Sequence, residues 1–154
     1  MKSQYRVVVI GGGVVGSSVL YHLAKMGWKD VVMLERRRLA SGSSWHAAGG
    51  VHTLNADPNM AALQAYTFDL LPKIEKESGQ NIGFHMTGGL TLAGTPERWE
   101  WLQSNYRIFQ SIGISDCELL TPEEARKRCP IMSVDGVLGA MWADREGYID
   151  TTGT

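Results

Sequence analysis

The chain has 154 residues, long enough for one domain with a real core, and its 44% apolar and 20% charged residues are ordinary for a globular protein. A formal net charge of −1 gives no reason to expect a nucleic acid or an anionic membrane as partner. No apolar stretch approaches the roughly 20 residues that a membrane span needs, and the first strand opens so near Met1 that no signal or transit peptide is expected.

Tyr5 to Ile10 (YRVVVI) is a β-branched run, the pattern of a strand buried on both faces of a parallel sheet. Gly11-Gly12-Gly13 breaks it. From Val14 to Met26, Val15, Val19, Leu23 and Met26 recur at helical spacing, and Gly27 stops that helix. Val31 to Leu34 is a second apolar strand ending at Glu35. These elements form one β-α-β unit, whose right-handed crossover makes the two strands parallel.

Residues 36–56 are rich in glycine and serine, which in a compact domain marks a working loop. Asp57-Pro58 is an N-cap followed by proline at the first helical position. The spacing puts Met60, Leu63, Thr67, Leu70 and Ile74 on one face of that helix, and Pro72 predicts a kink or an early break. Phe84-His85-Met86 and Leu90-Thr91-Leu92 read as strands around Gly88-Gly89. Thr95-Pro96 opens a helix with Trp99, Leu102, Tyr106 and Phe109 inward, ended by Gly113. Thr121-Pro122-Glu123-Glu124 is a capping box. Val137 to Ala143 reads as a strand, and Asp150 as the N-cap of a further helix. The expected fold class is α/β, with a Rossmann-like β-α-β unit followed by the beginning of an α+β substrate domain. Residues 1–56 would form the dinucleotide-binding unit and its glycine- and serine-rich loop, and residues 57–154 the helices and strands that lead to the second domain.

Gly11-x-Gly13-x-x-Gly16 lies between a strand and a helix, and Glu35 follows Gly16 by 19 residues at the end of the second strand. That context is what a dinucleotide fingerprint requires. Gly11 permits the tight turn, Gly13 lets the backbone approach a diphosphate, and Gly16 lets the helix pack close to the strands. Val14 and Val15 place the first helical N–H groups beside the phosphates. Glu35 can accept hydrogen bonds from the ribose hydroxyls and argues against a 2′-phosphate, whereas Arg36 beside it would favour one. The fingerprint alone leaves NAD and FAD both open.

The remaining residue types are less informative. Cys117 and Cys129 form no C-x-x-C pair and have no histidine ligand pattern, so reduced thiols, no metal and a cytoplasmic location are expected. The carboxylates Glu97, Glu100, Glu123 and Glu124 read as helix-surface or capping groups. Trp45, Trp99, Trp101 and Trp142 read as core. His22 reads as a surface or packing residue.

The segment Leu39-Ala40-Ser41-Gly42-Ser43-Ser44-Trp45-His46-Ala47-Ala48-Gly49-Gly50 resembles the dimethylglycine and sarcosine dehydrogenase family, within the D-amino-acid-oxidase-like flavoproteins. The resemblance starts at GGGVVGSSVLYHLAK and runs through ERRRLASGSSWHAAG, GFHMTGGLTLAGTPER and LLTPEEARKRCPIM to ADREGYID, essentially the whole chain. It implies FAD as cofactor, carried covalently by His46 through the flavin's 8α carbon, because a neutral imidazole nitrogen is a competent nucleophile. It implies that Gly42, Ser43, Ser44, Trp45, Ala47, Ala48, Gly49 and Gly50 surround the cofactor, and that the strand near His85 lines the substrate side.

The implied reaction is oxidation of an N-methyl amine such as dimethylglycine or sarcosine by hydride transfer to flavin, with no electron acceptor specified. Leu20 departs from the family's usual alanine, and Arg36-Arg37-Arg38 is more basic than usual. Family members continue further, so the resemblance also implies a missing C-terminal part as partner. A truncated FAD-binding remnant or split-chain subunit is the alternative reading.

Overall fold

In the computed structural model, which describes residues 2–153, the elements follow in order: β1 (Val7–Ile10), α1 (Val14–Lys25), β2 (Val31–Leu34), a 3-10 turn (Ser44–His46), β3 (Gly50–Val51), α2 (Pro58–Ser78), β4 (His85–Met86), β5 (Gly89–Ala93), α3 (Pro96–Ser111), β6 (Cys117–Leu120), α4 (Pro122–Arg128), β7 (Gly139–Ala143) and β8 (Gly147–Tyr148). The chain forms two compact units, Met1–Gly49 with Asp150–Thr154, and Gly50–Ile149.

In the first unit β1 and β2 pair in parallel, Val7 opposite Val31 through Ile10 opposite Leu34, as a β-α-β crossover demands. Gly27, at φ 87°, follows α1 where a left-handed residue ends a helix without Cβ strain. β1 departs from its expected burial. Only Val9 is buried, and Ile10 is 85% exposed. A parallel strand becomes buried on both faces only when further strands and helices cover it, and among the described residues it has β2 as its single strand neighbour.

The second unit is built on an antiparallel sheet in the order β5-β7-β6. Ala93, Leu102, Phe109, Cys117 and Met141 form its main core, with Trp99 and Tyr106 packed against them. Leu120, Ala125 and Ala140 form a second cluster under α4. Gly139 admits Trp99, since a Cβ there would lie 2.6 Å from the indole. A smaller sheet, β3-β8-β4, is antiparallel throughout.

The caps of α2 and α4 are as read from the sequence, whereas Asp150 opens a turn, accepting from the Thr152 N–H, and caps no helix among the described residues. Asp57 Oδ1 accepts from the N–H groups of Asn59 and Met60, both at 2.9 Å. Thr121 and Glu124 complete the capping box, in which the Thr121 N–H donates to Glu124 Oε2 at 2.8 Å.

Three expectations need correction. α2 buries Ala61, Phe68, Leu70 and Leu71, whereas Met60 and Leu63 are exposed. The large Phe68, set edge-on to Phe84, decides which stripe turns inward. Of the two outcomes expected at Pro72 the early break does not occur, since α2 continues to Ser78. Burying Phe68 and Leu71 just before it, at about 1.5–3 kcal/mol each, outweighs the lost hydrogen bond and ring clash. Trp45 and Trp101 are about half exposed and do not belong to the core. Trp45 lies against the His46 ring, and Trp101 lies under the Arg98 guanidinium. Among the described residues no helix is long and apolar enough to cross a membrane, and Cys117 and Cys129 are both free thiols.

Candidate functional site

The turn between β1 and α1 gives each fingerprint glycine a physical reason. Gly11 has φ 102°, a conformation L side chains rarely adopt, and its N–H donates to the Leu34 carbonyl at 2.8 Å. A Cβ on Gly16 would lie 1.9 Å from the Gly11 carbonyl oxygen, so α1 can begin this close to β1 only without a side chain there. A Cβ on Gly13 would press on Ser44 Oγ at 3.0 Å.

Glu35 is the hinge of this arrangement. Its Oε2 accepts from the Gly12 N–H at 2.8 Å and its Oε1 from the Arg37 N–H at 2.8 Å. The Gly12 bond foremost, then the Arg37 bond, hold this carboxyl below the usual carboxylate range against a smaller desolvation effect, with the Arg36 charge helping least. A carboxylate oxygen accepts more than one hydrogen bond, so both oxygens retain capacity for hydroxyl donors.

The glycine turn, Glu35, Arg36 and the serine loop converge on one cleft of about 580 Å³. It is lined by Gly11, Gly13, Val14, Val15, Gly16, Glu35, Arg36, Gly42, Ser43 and Ser44 among others. Ser44 Oγ accepts from the Val14 N–H at 2.9 Å, and the Gly13 carbonyl accepts from Ser17. That leaves the amides of Val15 and Gly16 without a protein acceptor among the described residues. Two open first-turn amides, a helix N-terminus and a carboxylate across the cleft are the donor and acceptor set of a dinucleotide's diphosphate and ribose. The residues present therefore fit such a cofactor.

Trp45, His46, Ala47, Ala48, Gly49 and Gly50 do not line the cleft. His46 is exposed on the 3-10 turn, where its Nδ1 lies 2.9 Å from the Gly42 carbonyl oxygen. A carbonyl only accepts, so Nδ1 carries a proton, and in the neutral ring the lone pair is on Nε2. The Trp45 ring is 3.8 Å from the imidazole, centroid to centroid. Ala47 and Ala48 are exposed, Gly49 is buried at φ 78°, and Gly50 is the first residue of β3.

Two residues with a part in the turn escaped the sequence reading. Gly12 lies between the fingerprint positions, and a Cβ on it would lie 2.5 Å from Leu39 Cδ2 and 3.2 Å from Glu35 Cβ. The triple glycine was its available signal. Ala40, at φ 59°, donates its N–H to the Gly12 carbonyl at 2.8 Å, and a left-handed alanine has no sequence signature.

A family model described as FAD dependent oxidoreductase (DAO) matches residues 6–153. Human mitochondrial dimethylglycine dehydrogenase is 37% identical over 150 residues, covering 97% of this chain and 17% of that protein. Human mitochondrial sarcosine dehydrogenase is 35% identical over 155 residues, covering 100% of this chain and 17% of that protein. The chain thus spans about one sixth of the length of these curated relatives. Among solved structures, L-proline dehydrogenase from P. horikoshii superposes with a TM-score of 0.88 at 30% identity, covering 98% of this chain and 39% of that one. The glycine turn and the acidic end of β2 are thus set in a fold and a sequence match that agree: the chain belongs to the DAO family of FAD-dependent oxidoreductases.

Proposed function

We propose that this chain is the N-terminal, FAD-binding portion of an enzyme that oxidises N-methyl amines such as dimethylglycine or sarcosine, with the flavin carried covalently by His46. The observation that carries the reading is the state of His46 within Ser41-Gly42-Ser43-Ser44-Trp45-His46-Ala47-Ala48-Gly49. Nδ1 is engaged by the Gly42 carbonyl, which leaves Nε2 exposed as the nucleophilic nitrogen. The names of the dimethylglycine and sarcosine relatives support the substrate class.

In this reading the Val15 and Gly16 amides and the α1 N-terminus hold the diphosphate, Glu35 holds the ribose, and the Gly42–Ser44 segment closes over the cofactor from the loop side. Bound FAD supplies a two-electron acceptor for hydride leaving the substrate's N-methyl carbon. The protein's own work is to bind, orient and exclude water. The electron acceptor and the C-terminal partner belong to parts of the architecture outside the aligned sixth. The two free thiols support a reducing compartment, and the cytoplasm is the one proposed, although both human relatives are named mitochondrial.

Anaerobic mixing of the FAD-loaded protein with dimethylglycine or sarcosine tests this reading. Bleaching of the flavin absorbance that saturates with amine is expected, and none with the parent glycine. A second reading, a remnant or split-chain subunit without catalysis, is favoured by the 85% exposure of Ile10 on a two-stranded parallel sheet. Bound flavin that no amine bleaches, until a polypeptide supplying the rest of the architecture is added, would select it.

A further inference from the structure

The antiparallel unit carries a cleft of its own, of about 490 Å³, whose lining residues all lie within Gly50–Ile149. α2 contributes Ala62 and Ala65 to it, and the loop from α3 to β6 contributes Ile112, Ile114 and Asp116. Arg145, between β7 and β8, completes it. A concave site of this size, with apolar walls and a few converging polar groups, is the form that small-molecule sites take.

Arg145 is held in place by the protein itself. Its carbonyl accepts from the buried Thr53 hydroxyl at 2.9 Å. Its Nη2 donates to Asp69 Oδ1 at 2.5 Å and to the Ala65 carbonyl at 3.4 Å, and the guanidinium carbon lies 5.1 Å from the Phe68 ring centroid. These contacts leave the two Nη1 donors without a protein acceptor among the described residues. A guanidinium already fixed through Nη2 loses little freedom when a carboxylate takes its remaining donors.

Asp116 is open in the complementary way. Its Oδ2 lies 3.8 Å from Arg145 Nε, close enough for an ion pair and too far for a hydrogen bond. No described donor hydrogen-bonds to its carboxylate, although the side chain is only 27% exposed. Other charged pairs of this unit close tightly: His52 Nδ1 and Glu146 Oε2 meet at 3.1 Å, and Arg128 Nη2 and Glu118 Oε1 at 2.5 Å. A partly buried carboxylate short of hydrogen bonds gains when an N–H donor reaches it.

A simple anion would be drawn to Arg145 and repelled by Asp116 beside it, and a simple amine would meet the reverse. An α-amino acid carries ammonium and carboxylate on one carbon, so its charges lie side by side as those of Asp116 and Arg145 do. We propose that this cleft binds a free amino acid with a small aliphatic side chain, its carboxylate on Arg145 Nη1 and its ammonium on Asp116. Ala62, Ala65, Ile112 and Ile114 give that side chain apolar contact. The site lies within one unit and does not rest on the amine-oxidation reading.

The test titrates the ¹⁵N-labelled, FAD-saturated chain with L-alanine and follows the backbone amides by NMR. Saturable shifts are expected at residues 61–65 and 112–116. Propionate and ethylamine, each lacking one of the two charges, should bind at least about tenfold more weakly. Asp116→Asn should weaken alanine about tenfold without weakening propionate. Ala62→Leu, which narrows the cleft and leaves both charges in place, should abolish the alanine shifts while the rest of the spectrum is retained. Alanine that shifts none of these amides up to its solubility limit overturns the proposal. Propionate that binds as tightly as alanine also overturns it, because that marks a plain anion site. Alanine shifts that persist unchanged in either variant put the binding elsewhere and overturn it equally.

Discussion

Gly16→Ala is the sharpest perturbation of the nucleotide turn. The added Cβ would fall 1.9 Å from the Gly11 carbonyl oxygen and 3.0 Å from its carbon, with Val9 Cγ1 at 3.5 Å closing the other side. Ordinary carbon–oxygen contact is near 3.4 Å, so about 1.5 Å of movement is needed. The obstacle is backbone whose own N–H is tied to Leu34, so it cannot swing away as a side chain would. Overpacking of this kind costs about 1–3 kcal/mol, and an unyielding neighbour puts it near the top of that range. The helix gains back about 0.5–1 kcal/mol on exchanging glycine for alanine. The net loss is about 2 kcal/mol, roughly a 30-fold rise in opening. Hydrogen–deuterium exchange of the amides in residues 14–25 reads it directly, with Gly42→Ala as control because nothing lies within 4 Å of a Cβ there. Exchange in Gly16→Ala within threefold of wild type, with FAD affinity unchanged, would refute this account of the turn.

Two further outcomes are expected. Glu35 titrates below the usual carboxylate range in the folded protein, so its contribution is present above the unfolded pKa and is lost as pH falls through the lower folded value. In a His46→Ala background, non-covalent FAD affinity should therefore persist through the ordinary carboxylate range and drop only at pH below it, and Glu35→Gln should lower it already at pH 7, both by fluorescence titration. Pro72→Ala should stabilise α2 by about 1–2 kcal/mol. Alanine restores an interior helical N–H and removes the ring clash, offset by about 0.4–1 kcal/mol of regained unfolded-chain freedom. Slower exchange in residues 66–78 is the readout, and faster exchange would contradict the reasoning.

What could be read from sequence was what is encoded locally. The β-α-β unit, the three capping prolines and the glycine turn each announce themselves within a few residues. Asp57, Thr95 and Thr121 all cap as their spacing predicts. Of the small sheet only β4 was legible, within Phe84-His85-Met86, and β3, β8 and the pairing were not, for the opposite reason. Its strands have two residues each, too short for periodicity, and Gly50 finds Tyr148 only across most of the chain. The His52–Glu146 pair exists because of that long-range register, so no local motif foretold it. α2 was misread because Met60 and Leu63 are individually more apolar than Ala61, whereas burial follows the stripe that carries Phe68 and Leu71. In the segment Leu39–Gly50 the family resemblance was legible and the geometry was not: a 3-10 turn in which His46 Nδ1 donates to the Gly42 carbonyl has no sequence mark.

The claim that His46 carries the flavin is tested most directly by supplying FAD to the protein, denaturing it in acid and looking for yellow fluorescence on the separated polypeptide. The account predicts fluorescence that stays with wild-type protein, maps to the peptide containing Ser44–His46 and is absent from His46→Ala. Flavin that washes free of wild-type protein, or stays with the His46→Ala chain, would contradict it.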